Sequence, residues 1–217
     1  SASIVGRNND GRDAGDFLTY GANGLVAASY TDGLGGGASS IANVTANMAT
    51  DSAHVYALRV HDGKTLTING GQTLTVGDGV HPAGVILNAV SATPGMITGG
   101  TLDFGTSEGV IYYGCRNDNW EQDRITSAID GQNGLTLVGL SPASEIQLSA
   151  SSCPHTGGTR ILAGRAIFSN TSSLGGGDIT VMGRGTWGGQ LLLDHVATVT
   201  NTLHLSGLSG HAEGFRF

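Results

Sequence analysis

Glycine accounts for thirty-seven of the 217 residues, often in pairs, and it cuts the chain into short runs rich in Thr, Val, Ile and Leu. Thr65-Leu66-Thr67-Ile68 precedes Gly70-Gly71, and Thr73-Leu74-Thr75-Val76 precedes Gly77. Gly99-Gly100 introduces Thr101-Leu102-Asp103-Phe104, and Gly177 introduces Asp178-Ile179-Thr180-Val181. Runs of four to six residues between such breaks are strand-sized. The residues that fill exposed helical faces are scarce: one Lys, four Glu and nine Arg stand against twenty-two Thr, so the chain reads as all-β.

Apolar residues alternate with polar ones along most of these runs. Leu66/Ile68, Leu74/Val76, Val85/Leu87, Leu102/Phe104, Leu135/Leu137, Ile146/Leu148, Ile179/Val181 and Leu203/Leu205 each put two apolar side chains on one face of a strand. A parallel solenoid and a β-sandwich both satisfy that pattern. Two features favour the solenoid: Asn-Gly and Asp-Gly pairs are few at two-residue hairpin distance, and the double glycines recur as internal repeats do. The expectation is a right-handed parallel β-helix forming one domain over residues 1–217, with a β-sandwich as the alternative. Residues 1–54 read as an irregular N-terminal cap and 55–217 as the β-helical rungs. Within the cap, Phe17-Leu18-Thr19-Tyr20 and Leu25-Val26-Ala27-Ala28 look like short strands. Ile41, Val44 and Met48 fall at helical spacing, but Val44 and Thr45 favour a strand there.

A net charge of −7, with ten basic residues scattered singly, offers no track for phosphates and argues against nucleic acid or an anionic membrane as partner. No run of 18 or more apolar residues is present to span a bilayer as a helix. Cys115 and Cys153 lie 38 residues apart. At roughly 20 residues per turn and about 4.8 Å between stacked strands, that puts their Cα atoms about 10 Å apart, beyond disulfide reach unless a loop bends back. They are either bridged through a loop that bends back or two separate thiols. Low Cys and Lys with abundant Ser, Thr, Gly and Asn suit an extracellular bacterial surface protein.

The stretch Gly134-Leu135-Thr136-Leu137-Val138-Gly139, Glu145-Ile146-Gln147-Leu148-Ser149, His155-Thr156-Gly157-Gly158-Thr159-Arg160-Ile161-Leu162-Ala163-Gly164 and Ser173-Leu174-Gly175 resembles the autotransporter-associated β-strand repeat. About 50 residues follow the pattern well. The chain departs from it at His155, where the family has an aromatic, and at 143–146 and 165–168. The resemblance implies a right-handed parallel β-helix in a secreted or cell-surface passenger region, and it brings no catalytic residues.

Three groups of residues invite a functional reading. Asp10, Asp13 and Asp16, among Asn8, Asn9 and two glycines, could gather hard oxygens around Ca²⁺, although the spacing is not that of an EF-hand and suits a polar turn equally. Tyr112, Tyr113, Trp120, Asp118 and Glu121 combine aromatic faces with carboxylates, as a sugar-binding surface does. Carboxyl pairs such as Asp118/Glu121 or Asp123/Asp130 fit glycoside hydrolysis only if they stand about 5–10 Å apart. Seven histidines show no zinc spacing. The function expected is a non-enzymatic, extracellular, adhesin-like structural module. It requires no cofactor, its partners would be surface glycans, host or matrix proteins, or further copies of itself, and it would be able to assemble into filaments. The alternative is a β-helix that binds or degrades polysaccharide.

Overall fold

The computed structural model describes residues 4–7, 15–88, 93–115, 121–182, 188–196, 198–206 and 215–216. Apart from one 3-10 turn at Thr171–Leu174, every regular element among them is a strand. The first three, β1 (Val5–Arg7), β2 (Gly15–Gly21) and β3 (Gly24–Ala27), form a small antiparallel sheet in that order. β2 and β3 turn through Ala22-Asn23 and set Tyr20 opposite Leu25 and Thr19 opposite Val26.

The chain then runs through β4 (Thr31–Asp32), β5 (Ile41–Val44), β6 (Met48–Thr50), β7 (Ala53–Val55), β8 (Ala57–His61) and β9 (Thr65–Val76). It continues through β10 (Ala83–Asn88), β11 (Met96–Asp103), β12 (Gly109–Tyr113), β13 (Asp123–Ile125), β14 (Ala128–Asp130) and β15 (Leu135–Gly139). The last six are β16 (Glu145–Leu148), β17 (Thr159–Phe168), β18 (Ile179–Met182), β19 (Gly189–Leu193), β20 (Leu203–Ser206) and β21 (Phe215–Arg216).

These strands form one large curled sheet in which they pair in parallel, each with a strand about one repeat further along the chain. One ladder runs β4, β5, β8, β10, β12, β15, β17, β18, β20. It aligns Leu58, Val85, Ile111, Leu137, Ile161 and Val181 in register, with steps of 20–27 residues. A second ladder aligns Leu66, Ile97, Ile125, Leu148 and Phe168. β17 joins the two: its first half lies between β15 and β18, and its second half between β16 and β19. The aligned apolar residues face one continuous buried core, so the period-2 alternation has become stacked columns of side chains. Each such residue contributes about 1.5–3 kcal/mol on burial.

The parallel ladder begins at Thr31, well before the expected boundary at residue 54. Within the 38–49 stretch the regular structure is strand, with Ile41–Val44 and Met48–Thr50 paired to β8 and β9. Residues 15–27 are a regular antiparallel hairpin and not an irregular cap. Short strands with few apolar residues hide this in the sequence, because their pairing partners lie 11 or more residues away.

The small sheet packs on the outside of the large one. Phe17 and Ala28 meet Ala57 and Ile86, with Tyr30, Tyr56 and Tyr112 around them. Ile86 points away from the main core yet is fully buried, because Phe17 and its neighbours cover it.

Paired glycines carry the bends. β11 shifts register against β9 between Gly99 and Thr101. Gly99 has φ 76°, and a Cβ there would collide with the carbonyl oxygen of Ile68 on the strand below. Both constraints demand glycine. Gly70, in the equivalent bend of β9, has open space around it. Gly99→Ala is therefore expected to lower unfolding stability by about 2–4 kcal/mol in chemical denaturation, and Gly70→Ala by less than about 1 kcal/mol. Equal losses at the two positions would refute the assignment of the bend.

Candidate functional site

The best-defined polar site forms where two loops leave the large sheet at the same corner, between β10 and β11 and between β12 and β13. Asp123, the first residue of β13, is fully buried. Its Oδ1 accepts the Gly95 N–H at 2.8 Å, and its Oδ2 accepts the N–H groups of Gly114 and Cys115, both at 3.0 Å. One carboxyl group thus fastens the foot of both loops. Burial pushes it up to about 7, against the pull of the three N–H donors. Cys115, also buried, directs its Sγ to the carbonyl oxygen of Glu121 at 3.4 Å.

Of the residues expected to form a sugar platform, Tyr112, Tyr113 and Glu121 are described. Tyr113 points into the core, is fully buried and donates from its hydroxyl to the Ala163 carbonyl at 2.7 Å. Tyr112, next in the alternation, points outward but is half-buried beneath the small sheet, where burial raises its pKa. Glu121 is exposed. Asp118 and Trp120 lie outside the described residues. Two consecutive strand residues cannot both face a ligand, and this alternation separates the tyrosines. The carboxyl pair Asp123/Asp130 is likewise committed elsewhere: Asp123 to three backbone donors, and Asp130 Oδ1 to the Gly131 N–H at 2.8 Å.

Asp10 and Asp13 lie outside the described residues. Asp16 pairs with Arg59 and accepts the Tyr30 hydroxyl at 3.1 Å. Arg59 also stacks on the Tyr30 ring, 3.7 Å from its centroid, and donates from Nε to Asn43 at 2.9 Å. Asn43 in turn contacts His61 and Asp32. This network ties the small sheet to β5 and β8, so the Asp16 carboxylate serves as a fastening. Among the described residues, no group of three or more His, Cys, Asp or Glu is placed to hold a metal ion. Cys115 and Cys153 are buried thiols that are not bridged to each other. Cys115 sits at the loop corner, and Cys153 lines the core near Ile129, where burial raises its pKa to about 11.

Two buried polar features escaped the sequence reading. Glu145 is almost wholly buried and pairs with Arg165, which also donates from Nε to Gln190 at 3.1 Å. The signal was available: all three residues occupy one register position on successive strands. His155, at the position where it departs from the repeat pattern, is buried with Nε2 3.1 Å from the Thr159 hydroxyl and Nδ1 without a partner. Its ring fills the space that a side chain on Gly175 would occupy. Burial lowers its pKa, outweighing Asp130 nearby.

Comparison with protein-family models, with curated proteins and with solved structures finds no match.

The two buried titratable groups give stability opposite pH slopes. Asp123 holds its proton in the folded chain up to about pH 7 but loses it near 3.8 once unfolded. Its contribution therefore falls as pH rises from about 4 to 7, by up to about 1.4 kcal/mol per pH unit. Denaturant titrations should show the stability difference between wild type and Asp123→Asn shrinking across that window. A difference that grows with pH would mean that the N–H donors dominate and keep the group ionised. His155 acts in reverse: the unfolded chain binds its proton first as pH falls below about 6.5, so the folded state loses stability there. Wild type should lose stability between pH 7 and 5 relative to His155→Phe, and a flat difference would place the ring in contact with solvent.

Proposed function

We propose that this chain is a non-enzymatic structural module of an extracellular or cell-surface bacterial protein, built as a closed right-handed parallel β-helix and resembling autotransporter-associated repeat passengers. The observation that carries this reading is the uninterrupted parallel backbone ladder from Thr31 to Ser206, nine strands deep. At about 4.8 Å per strand it spans about 40 Å. Parallel strands connected in sequence order, with no α-helix among the described residues to cover either face, favour a coil that closes on its own core, and crossovers between parallel strands are right-handed almost without exception.

A scaffold of this kind acts mechanically. Its hydrogen bonds load together when the ends are pulled, and its stacked apolar columns hold the register. Specificity would reside in the corner loops that Asp123 fastens, with surface glycans or host and matrix proteins as the class of partner. The alternative, a polysaccharide-binding or polysaccharide-cleaving protein, has less support: Tyr113 is a core residue, and the carboxyl groups of Asp123 and Asp130 are occupied by backbone donors.

Single-molecule pulling between residues 31 and 206, combined with a glycan array and a reducing-sugar assay, tests the reading. The expected outcome is a high-force, stepwise unfolding trace and no release of reducing ends. Sugar cleavage that depends on an acidic residue would overturn it.

A further inference from the structure

We propose that the chain forms a two-fold dimer through β3, whose open edge pairs antiparallel with β3 of a second copy to give a six-stranded antiparallel sheet. This does not depend on the scaffold function proposed above, because it rests on the hairpin alone.

The first observation is which backbone groups face outward. β3 is the terminal strand of the small sheet, after β1 and β2. Ala28 donates to the Phe17 carbonyl at 2.8 Å, and N–H and C=O groups along an antiparallel strand point alternately to either side. Val26 and Gly24 therefore face β2, while Leu25 and Ala27 direct their N–H and C=O groups to the open edge. No other part of the described chain bonds to them.

The second observation is the chemistry of that edge. Sheets protect exposed edges with Lys, Pro, bulges or a covering element. β3 reads Gly-Leu-Val-Ala and has none of these. Tyr20 is 76% exposed, Leu25 50% and Val26 45%, so the largest exposed apolar side chains of residues 15–35 cluster at this hairpin tip. Residues 17–31 include no charged side chain, although the chain as a whole carries −7. A second copy of a strongly acidic protein can approach here without setting like charges against each other, which a cationic partner would not need.

The third observation is that the register closes. A two-fold axis normal to the sheet keeps each face on its own side, so directly opposed residues must share a face. Centring the axis on Val26 sets it opposite Val26 of the second copy and pairs Leu25 with Ala27 of that copy, so that all four edge residues exchange hydrogen bonds. Since Tyr20 lies opposite Leu25 and Leu18 opposite Ala27 within each hairpin, the outer face becomes a continuous row of Tyr, Leu, Ala and Leu across the junction. Such a contact is self-complementary and uses up both β3 edges, so this contact closes at a dimer.

Sedimentation velocity on the full chain from about 1 to about 200 µM reads the association directly, with a concentration-dependent monomer-to-dimer shift expected. Leu25→Lys places two ammonium groups near the axis and should weaken the dimer by at least about a hundredfold, with the melting temperature and circular dichroism of the monomer retained. Val26→Cys provides an independent readout, because the two opposed positions form a non-hydrogen-bonded pair within disulfide reach. It should cross-link under mild oxidant while the buried Cys115 and Cys153 do not. A chain that stays monomeric throughout, a dimer unaffected by Leu25→Lys, or a monomer that instead takes up an extended peptide on β3 would each overturn the proposal.

Discussion

Parallel stacking of successive chain segments in a fixed register is the constraint from which the other features of this structure follow. Once Leu58, Val85, Ile111, Leu137, Ile161 and Val181 lie above one another, the neighbouring residue on each strand must point outward, and the bends must recur at matching positions. A slip of one residue would send the whole apolar column to the opposite face. The core is thin, so no single side chain dominates it. Cohesion comes from many equivalent contacts together with a backbone whose donors and acceptors are paired between neighbouring strands.

Such a frame has two vulnerable places, its outward apolar residues and its corners, and the chain treats each with a specific device. Ile86 and Tyr112 would leave an apolar stripe on the outside of the large sheet, and the antiparallel hairpin covers them with Phe17 and Ala28. The Asp16, Arg59, Tyr30 and Asn43 network then fixes the hairpin in place. At the corner where two loops depart, Asp123 accepts three backbone N–H groups, one of which, from Gly114, is shared with the Leu87 carbonyl of the sheet. Burying a carboxyl without a cation is costly, and the return is a fixed exit geometry for both loops.

These devices separate polar residues that serve the fold from those free to serve a partner. Asp16, Asp123, Glu145 and Arg165 are each engaged within the protein. The tip of the small sheet is the reverse case. It has hydrogen-bonding groups without partners and exposed apolar side chains, and it gives nothing to the core beyond Phe17 and Ala28.

The sequence by itself determined the all-β class, the alternation and the need for bends at paired glycines, because period-2 patterning and a missing Cβ are local properties. It also marked Phe17 to Tyr20 and Leu25 to Ala27 as extended. Only the tertiary structure decided which strands pair, that the parallel ladder begins at Thr31, and that Tyr113 is core while Tyr112 lies under the hairpin. Those outcomes depend on ladder partners 11 to 31 residues away and, for Tyr112, on the distant Phe17 and Ala28, and no local propensity encodes them. The same holds for the candidate site. Asp123 differs from its neighbours Asp118 and Asp130 in the sequence by nothing visible, and it becomes the corner fastening only because Gly95 from one turn and the adjacent Gly114 and Cys115 from another bring their N–H groups to one point.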